Sequence, residues 1–237
     1  MLTSVTDESR IMSYLGEVRA AVLNTITATV PLTVWSDLGD GVPWAYAEAF
    51  DSNKLDPRVL PQQARFKATN DRHFFMEHAI SRVADHSGAT FIPEVVEENG
   101  WRFGLFKSGK LCFTQKYVLT YGGMPTPAKF RKRLAEANKF TQQTRMFFMQ
   151  GAAKVSDVEI NAILVHCPEN RDFNDETEGF RRPAFVTLAV PFSDYSDWAA
   201  RFDLSELIAS YATEEASRKA PAPKWKPIRK TEDGEGA

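Results

Sequence analysis

Apolar residues recur at three- and four-residue steps at Ile11, Leu15, Val18, Val22 and Ile26, with Glu8, Arg10, Glu17 and Arg19 on other faces. That spacing predicts an amphipathic helix from about Asp7, ending before Pro31. Over residues 32–50 the aromatics Trp35, Trp44, Tyr46 and Phe50 alternate with Gly39, Gly41 and Pro43. Those breakers predict a loop around short elements, its aromatics covering the core. Residues 51–69 carry Pro57 and Pro61, several charges and little periodicity, which predicts an exposed connection longer than most. A second helix is expected from Asn70 or Asp71, with Phe74, Phe75, Ile80 and Val83 on its buried face and Gly88 at its end.

From Ala89 the period changes to two. Three runs, 89–97, 101–107 and 111–119, read as consecutive strands, and Trp101, Phe103 and Leu105 alternate with Arg102 and Gly104 as in a half-buried sheet. Asn99-Gly100 is a strong two-residue hairpin signal and Ser108-Gly109 a weaker one. Thr126 with Pro127 is expected to open a long helix to about residue 150, striped by Phe130, Leu134, Ala137, Thr141, Thr144 and Phe148. Val158–Cys167 and Ala184–Phe192 predict two more strands, and Ser193 or Asp194 a last helix with Trp198, Phe202, Leu207, Ile208 and Tyr211 turned inward. Together these predict an α+β fold: a mostly antiparallel sheet, made of a three-stranded meander and two further strands, covered by helices. The expected organisation is one globular domain over residues 1–212, with an exposed loop at about 51–69 and a disordered charged tail over 213–237.

Composition narrows the class without naming a function. The chain has 237 residues, 43% hydrophobic and 25% charged, enough to bury a core. No run of eighteen apolar residues is present, so no membrane span is expected, and MLTSVTDESR lacks the layout of a signal peptide. Cys112 and Cys167 both fall in predicted strands, which suits buried thiols in a reducing cytoplasm. The net charge of −2 conceals a basic centre: residues 99–149 hold ten Lys and Arg against Glu136 alone, so +9 there leaves −11 elsewhere. Such a centre suits phosphate, an acidic partner or the chain's own acidic ends.

Several partial motifs for chemistry are incomplete. His73 and Glu77 share a helix face, but His78 is five residues from His73 and points about 140° away on a helix, so a zinc site lacks its ligands. His166 and Cys167 are strand neighbours on opposite faces, which denies the thiol a local base. Glu94, Glu97 and Glu98 with Lys107 and Lys116 are similar to nuclease acid–lysine clusters, yet cross-strand charge pairing accounts for them. No P-loop, dinucleotide fingerprint or nucleophile elbow occurs. The expectation is a protein without catalytic activity, cofactor or metal. A nucleic-acid-binding or nuclease-like regulator using the basic 99–149 region, with Lys129, Arg131, Lys132 and Arg133 on phosphates and aromatics of the meander on bases, is the alternative.

The segment Gln62-Gln63-Ala64-Arg65-Phe66-Lys67 permits a more specific expectation. Peptides that enter the apolar pocket of the bacterial DNA polymerase sliding clamp carry a leading glutamine, then leucine or methionine, then a closing phenylalanine. The amide bonds the pocket rim and the ring fills the hole. Gln62 and Phe66 match the two ends, while Gln63 and Arg65 replace the usual leucines. A second match, Gln143-Thr-Arg-Met146-Phe147, falls in a predicted helix, where the extended shape is lacking. On this segment and its size the chain resembles the SocB family of replication-inhibiting toxins from bacterial toxin–antitoxin pairs. The resemblance implies binding to the clamp, a block of replication elongation through competition with polymerases, and control by a partner antitoxin that delivers the toxin to a protease. The plain alternative for the segment is a solvated polar loop.

Overall fold

The computed structural model describes residues 4–54, 58–96, 99–141, 158–170 and 179–219. Three helices come first: α1 (Ser4–Thr29), α2 (Leu32–Lys54) and α3 (Pro61–Ser87). Strands β1 (Thr90–Val95), β2 (Arg102–Ser108) and β3 (Leu111–Tyr117) follow, then α4 (Lys129–Glu136). The chain continues through β4 (Ile160–Pro168), a 3-10 turn (Gly179–Arg181), β5 (Pro183–Pro191), β6 (Trp198–Asp203) and α5 (Leu204–Lys219). The six strands lie in the sheet in chain order. All neighbours are antiparallel except β3 and β4, which pair in parallel from Leu111↔Ile160 to Tyr117↔His166. The architecture is α+β with a mixed, mostly antiparallel sheet.

Strand alternation sorts side chains into two layers. Phe106, Leu111, Phe113, Ile160, Ala162, Leu164, Leu188 and Val190 face the large core built with α1, α2, α3 and α5. Ile163, Val165 and Ala189 face the other way, against Val118, Ala135 of α4, Tyr195 and Trp198. The helices expected to cover the sheet do so mainly on one side; α4 closes the second. Asn138, just past α4, is fully buried and anchors it. Its Nδ2 donates to the carbonyls of Asn161 (2.8 Å) and Pro191 (3.0 Å), and its Oδ1 accepts the Asn161 N–H at 2.9 Å.

The first hairpins behave differently from their turn signals. Gly109 has φ 54 and makes a two-residue turn between the paired Ser108 and Leu111. Asn99-Gly100 sits instead in a longer loop, where the Gly100 N–H and Val96 C=O are bonded and Val96 N–H donates to Trp101 C=O.

Helical structure replaces several expected loops. Residues 32–50 belong to α2, whose buried Trp35, Leu38, Val42, Tyr46, Ala49 and Asn53 follow one helical stripe despite Pro43 inside it. Gly41 serves packing: a Cβ there would lie 3.4 Å from Ala79 Cβ, so α2 and α3 approach closely. The loop expected at 51–69 is helical over 51–54 and 61–69, because α3 begins nine residues before the predicted cap, with Pro61 in its first turn. It ends as expected on Gly88, at φ 71. The opposite correction holds at 198–203, expected as helix: this is edge strand β6, with Trp198 and Phe202 buried. Helix α4 starts after Ala128 rather than at Thr126 and breaks after Glu136, with helix resuming at 139–141; residues 142–157, including the second glutamine–phenylalanine match, lie outside the described residues. Helix α5 reaches Lys219, into the segment expected as a tail, and the rest of that segment also lies outside them.

Candidate functional site

The glutamine–phenylalanine segment occupies the first two turns of α3. Leu60 is the N-cap, in extended geometry with no side-chain cap bond, and no acidic residue sits in the first turn. Pro61 has no N–H to leave unpaired and the Gln63 N–H donates to the Leu60 carbonyl at 2.8 Å, so no side-chain cap is used at this end. Ala64 and Ala68 face inward, Ala68 packing with Phe50 and Phe180. Gln63, Arg65 and Phe66 are exposed, and the Phe66 ring is 73% accessible. Lys67 is tied to Asp71 at 2.6 Å. The Pro61 and Gln62 side chains lie outside the described residues. Two exposed apolar side chains flank the ring along the chain, Leu60 before it and Phe74 after it. Thus Phe66 is available to a partner, but its backbone is helical rather than extended.

Behind these turns α3 is fixed by a chain of buried polar groups. Tyr46 of α2 donates its hydroxyl to His166 Nδ1 at 2.7 Å, and His166 Nε2 donates to Gln115 Oε1 at 3.0 Å. The Gln115 amide nitrogen then serves both His73 Nδ1 (2.5 Å) and Glu77 Oε1 (2.9 Å) on α3. This directionality requires a neutral His166 carrying its proton on Nε2. Burial, with Arg72, His73 and Lys116 adding repulsion, pushes His166 down to about 3. Burial also pushes His73 down and Glu77 up. Gly104 admits Glu77: a Cβ at that position would fall 2.1 Å from Glu77 Oε2 and 2.0 Å from Phe91 Cζ.

Arg72 is the most deeply placed cation, 2% exposed, with its guanidinium 4.1 Å from the Phe180 ring centre and 4.4 Å from that of Tyr46. Its Nε and Nη2 have no hydrogen-bond partner among the described residues. Aromatic faces compensate part of that desolvation. Together these contacts tie α3 to α2, β3 and β4, so the set reads as a lock on α3.

No protein-family model, curated protein or solved structure matches the chain.

The other sequence-level candidates separate. His73 and Glu77 do share a face, but they meet an amide, and His78 lies against Trp44 instead. Among the described residues no group of three or more His, Cys, Asp and Glu side chains is placed to hold a metal. His166 and Cys167 face opposite layers, with Cys167 Sγ directed at the Leu119 and Pro168 carbonyls. Cys112 is buried, its thiol pushed up to about 12. Lys129, Lys132 and Arg133 are exposed on α4, while Arg131 is half-buried and donates to the Thr126 carbonyl at 2.7 Å. Among the described residues no helix is long and apolar enough to cross a membrane. Sequence reasoning missed Tyr46, Arg72 and Gln115, whose only local trace was the shared face of His73 and Glu77.

Proposed function

We propose that the chain is a toxin-like inhibitor of DNA replication that binds the bacterial polymerase sliding clamp through Gln62–Lys67 and competes with polymerases for its pocket. The observation that carries this reading is the 73% exposure of Phe66, a large apolar ring next to polar neighbours. Single exposed apolar side chains are common, so the ring matters because the glutamine of the motif stands four residues before it.

The clamp pocket takes an extended peptide, and five residues in a helix span less than half that length. Binding in this reading therefore unwinds the first two turns of α3. The opposing terms include the backbone hydrogen bonds of those turns, about 1 kcal/mol each. Extracting Ala64 and Ala68 exposes roughly one methyl group each, about 0.8 kcal/mol apiece. The half-buried Lys67–Asp71 pair adds about 0.5–1 kcal/mol. Burial of Phe66 returns about 1.5–3 kcal/mol, and a micromolar complex needs about 8 kcal/mol in total. Contacts of Gln62 and of flanking residues must supply the remainder, and Leu60, half-exposed beside the segment, is the nearest apolar candidate. An antitoxin that also serves as a proteolytic adaptor is the second partner in this reading.

The test is a clamp pull-down with Phe66→Ala and Gln62→Ala. Both variants are expected to lose the clamp while the circular-dichroism melt stays where it was. Retention of binding by both variants removes the proposal.

A further inference from the structure

A cleft of about 570 Å³ opens between the β1–β2 hairpin and the start of α4, lined by Asn99, Trp101, Lys116, Lys129, Phe130 and Arg131. Three of these side chains are cationic, and among the described residues no acidic side chain lines the cleft. Lys116 points from the sheet face that α4 covers, and the charge acting on it is that of Arg131, another cation. Among the described residues no carboxylate forms an ion pair with either of them. Burial and this like-charge neighbour both hold the Lys116 ammonium below its ordinary value. Two half-buried cations kept together, with no counter-ion among the described residues, favour an anion as the complement of the site. The N-terminus of α4 adds to the same field, since its N-cap, Ala128, offers no side chain to the first turn.

The cleft also has aromatic walls. Trp101 is 45% exposed, and one side of its indole is held by His73 at 4.9 Å between ring centres. Phe130 is stacked on Phe103 at 4.4 Å, which fixes the second wall. A second hollow of about 280 Å³ adjoins it, sharing Lys129 and Phe130 and adding Arg133 and Glu94. Two adjoining hollows along one basic edge suit successive units of a strand better than a lone phosphate. A duplex hides its bases from such walls, whereas a single strand presents both a phosphate and a π-face.

We propose that this cleft binds single-stranded nucleic acid, Lys116 and Arg131 holding a phosphate and Trp101 stacking a base. Glu94 repels phosphate at the outer hollow, which leaves that end for a sugar or base. The site uses no residue of Gln62–Lys67, so it stands or falls independently of clamp binding. It gives an inhibitor of replication a contact with the exposed template beside the machine it blocks.

The test is fluorescence anisotropy of the full-length chain with a short labelled oligothymidylate. Duplex of the same length, thymidine monophosphate and inorganic phosphate serve as competitors. The expected result is saturable binding of the single strand, weakened roughly tenfold by Lys116→Ala or by Arg131→Ala, as for loss of a charged hydrogen bond. Trp101→Ala is expected to weaken it by a similar factor, about tenfold, through loss of stacking. Lys116→Arg and Phe66→Ala retain binding. The logarithm of the affinity falls with log salt at about −0.7 per phosphate held. Lys129→Glu, a substitution at the exposed rim, gives the same loss should Lys116→Ala fail to fold. Absence of binding at low salt, equal binding of duplex, competition by inorganic phosphate as strong as by the strand, or unchanged affinity in the folded variants each overturns the proposal.

Discussion

Tyr46 and His166, 120 residues apart in the chain, meet at 2.7 Å between the phenol oxygen and Nδ1, and both are buried. The contact holds only while the imidazole is neutral. His166 ionises at about 3 when folded and at 6.5 when the chain is open, so acid favours the unfolded state. Its contribution is complete above pH 6.5 and declines as pH falls from there toward 3. His73, also pushed down by burial, acts in the same sense. Glu77, pushed up by burial, acts in the opposite one, because its protonated form is favoured in the fold. Denaturant titrations at pH 7 and pH 5 are expected to differ by about 2 kcal/mol, at 1.36 kcal/mol per unit below 6.5. His166→Gln should be less stable at pH 7 and lose most of that slope. An unchanged slope would show that the imidazole titrates freely.

Gly104 is required by its neighbours rather than by its backbone angles. A methyl group there overlaps the Phe91 ring end and the Glu77 carboxylate, both of which must then move. Gly104→Ala is expected to cost about 1–3 kcal/mol, as other overpacking substitutions do. In a Phe91→Ala background the penalty should shrink, and a double-mutant cycle reads the difference. Strict additivity would contradict the packing.

Asn138 replaces missing ladder bonds between β4 and β5. It satisfies the Asn161 N–H, the Asn161 C=O and the Pro191 C=O with one amide. Asn138→Ala leaves those backbone groups without partners and should destabilise by about 2–4 kcal/mol, a buried donor and acceptor each costing about 1–3. Asn138→Asp should be comparable, since a carboxylate cannot donate to either carbonyl.

The helical state of Gln62–Lys67 makes the clamp reading sensitive to the N-cap. Leu60→Ser introduces a capping oxygen and should stabilise the first turn of α3 by about 0.5–2 kcal/mol. If binding unwinds that turn, the same change weakens the clamp complex by up to about tenfold, the equivalent of 1.4 kcal/mol. Leu60→Ala is the control, since it removes the same side chain without a cap. Equal affinities for the two variants would indicate that the clamp accepts the helix as it stands.

Periodicity carried the elements that have one clean period and misled where two signals compete. The meander, β4 and β5 are legible as short apolar runs bounded by turn residues such as Gly109, although both faces of the sheet are covered and β4 is buried along its whole length. Helix α2 was hidden by Gly39, Gly41 and Pro43, although Trp35, Leu38, Val42, Tyr46 and Ala49 already marked its stripe. There, packing against α3 outweighs the breakers. The four-residue spacing of Trp198 and Phe202 suggests a helix, but in β6 a bulge opposite Val190 and Pro191 turns the two side chains to opposite faces, and the strand covers the free edge of β5. The exposed phenylalanine was visible as a motif residue, but its helical backbone was not, since Pro57 and Pro61 read as a linker. Proline in a first turn opens a helix as readily as it breaks one. The locking groups Tyr46, Gln115 and Arg72 come from three separate elements, and no local spacing announces such a meeting.

Helix α3 is one uninterrupted rod, with Phe66 near its outer end and His73 and Glu77 clamped to the sheet two to three turns further in. A hook mounted so close to its fixing has a short arc of swing. With its first two turns drawn out, the ring would hang on a tether of only a few residues, so a protein that grips it would still hold the bulk of the sheet close beside the point of capture.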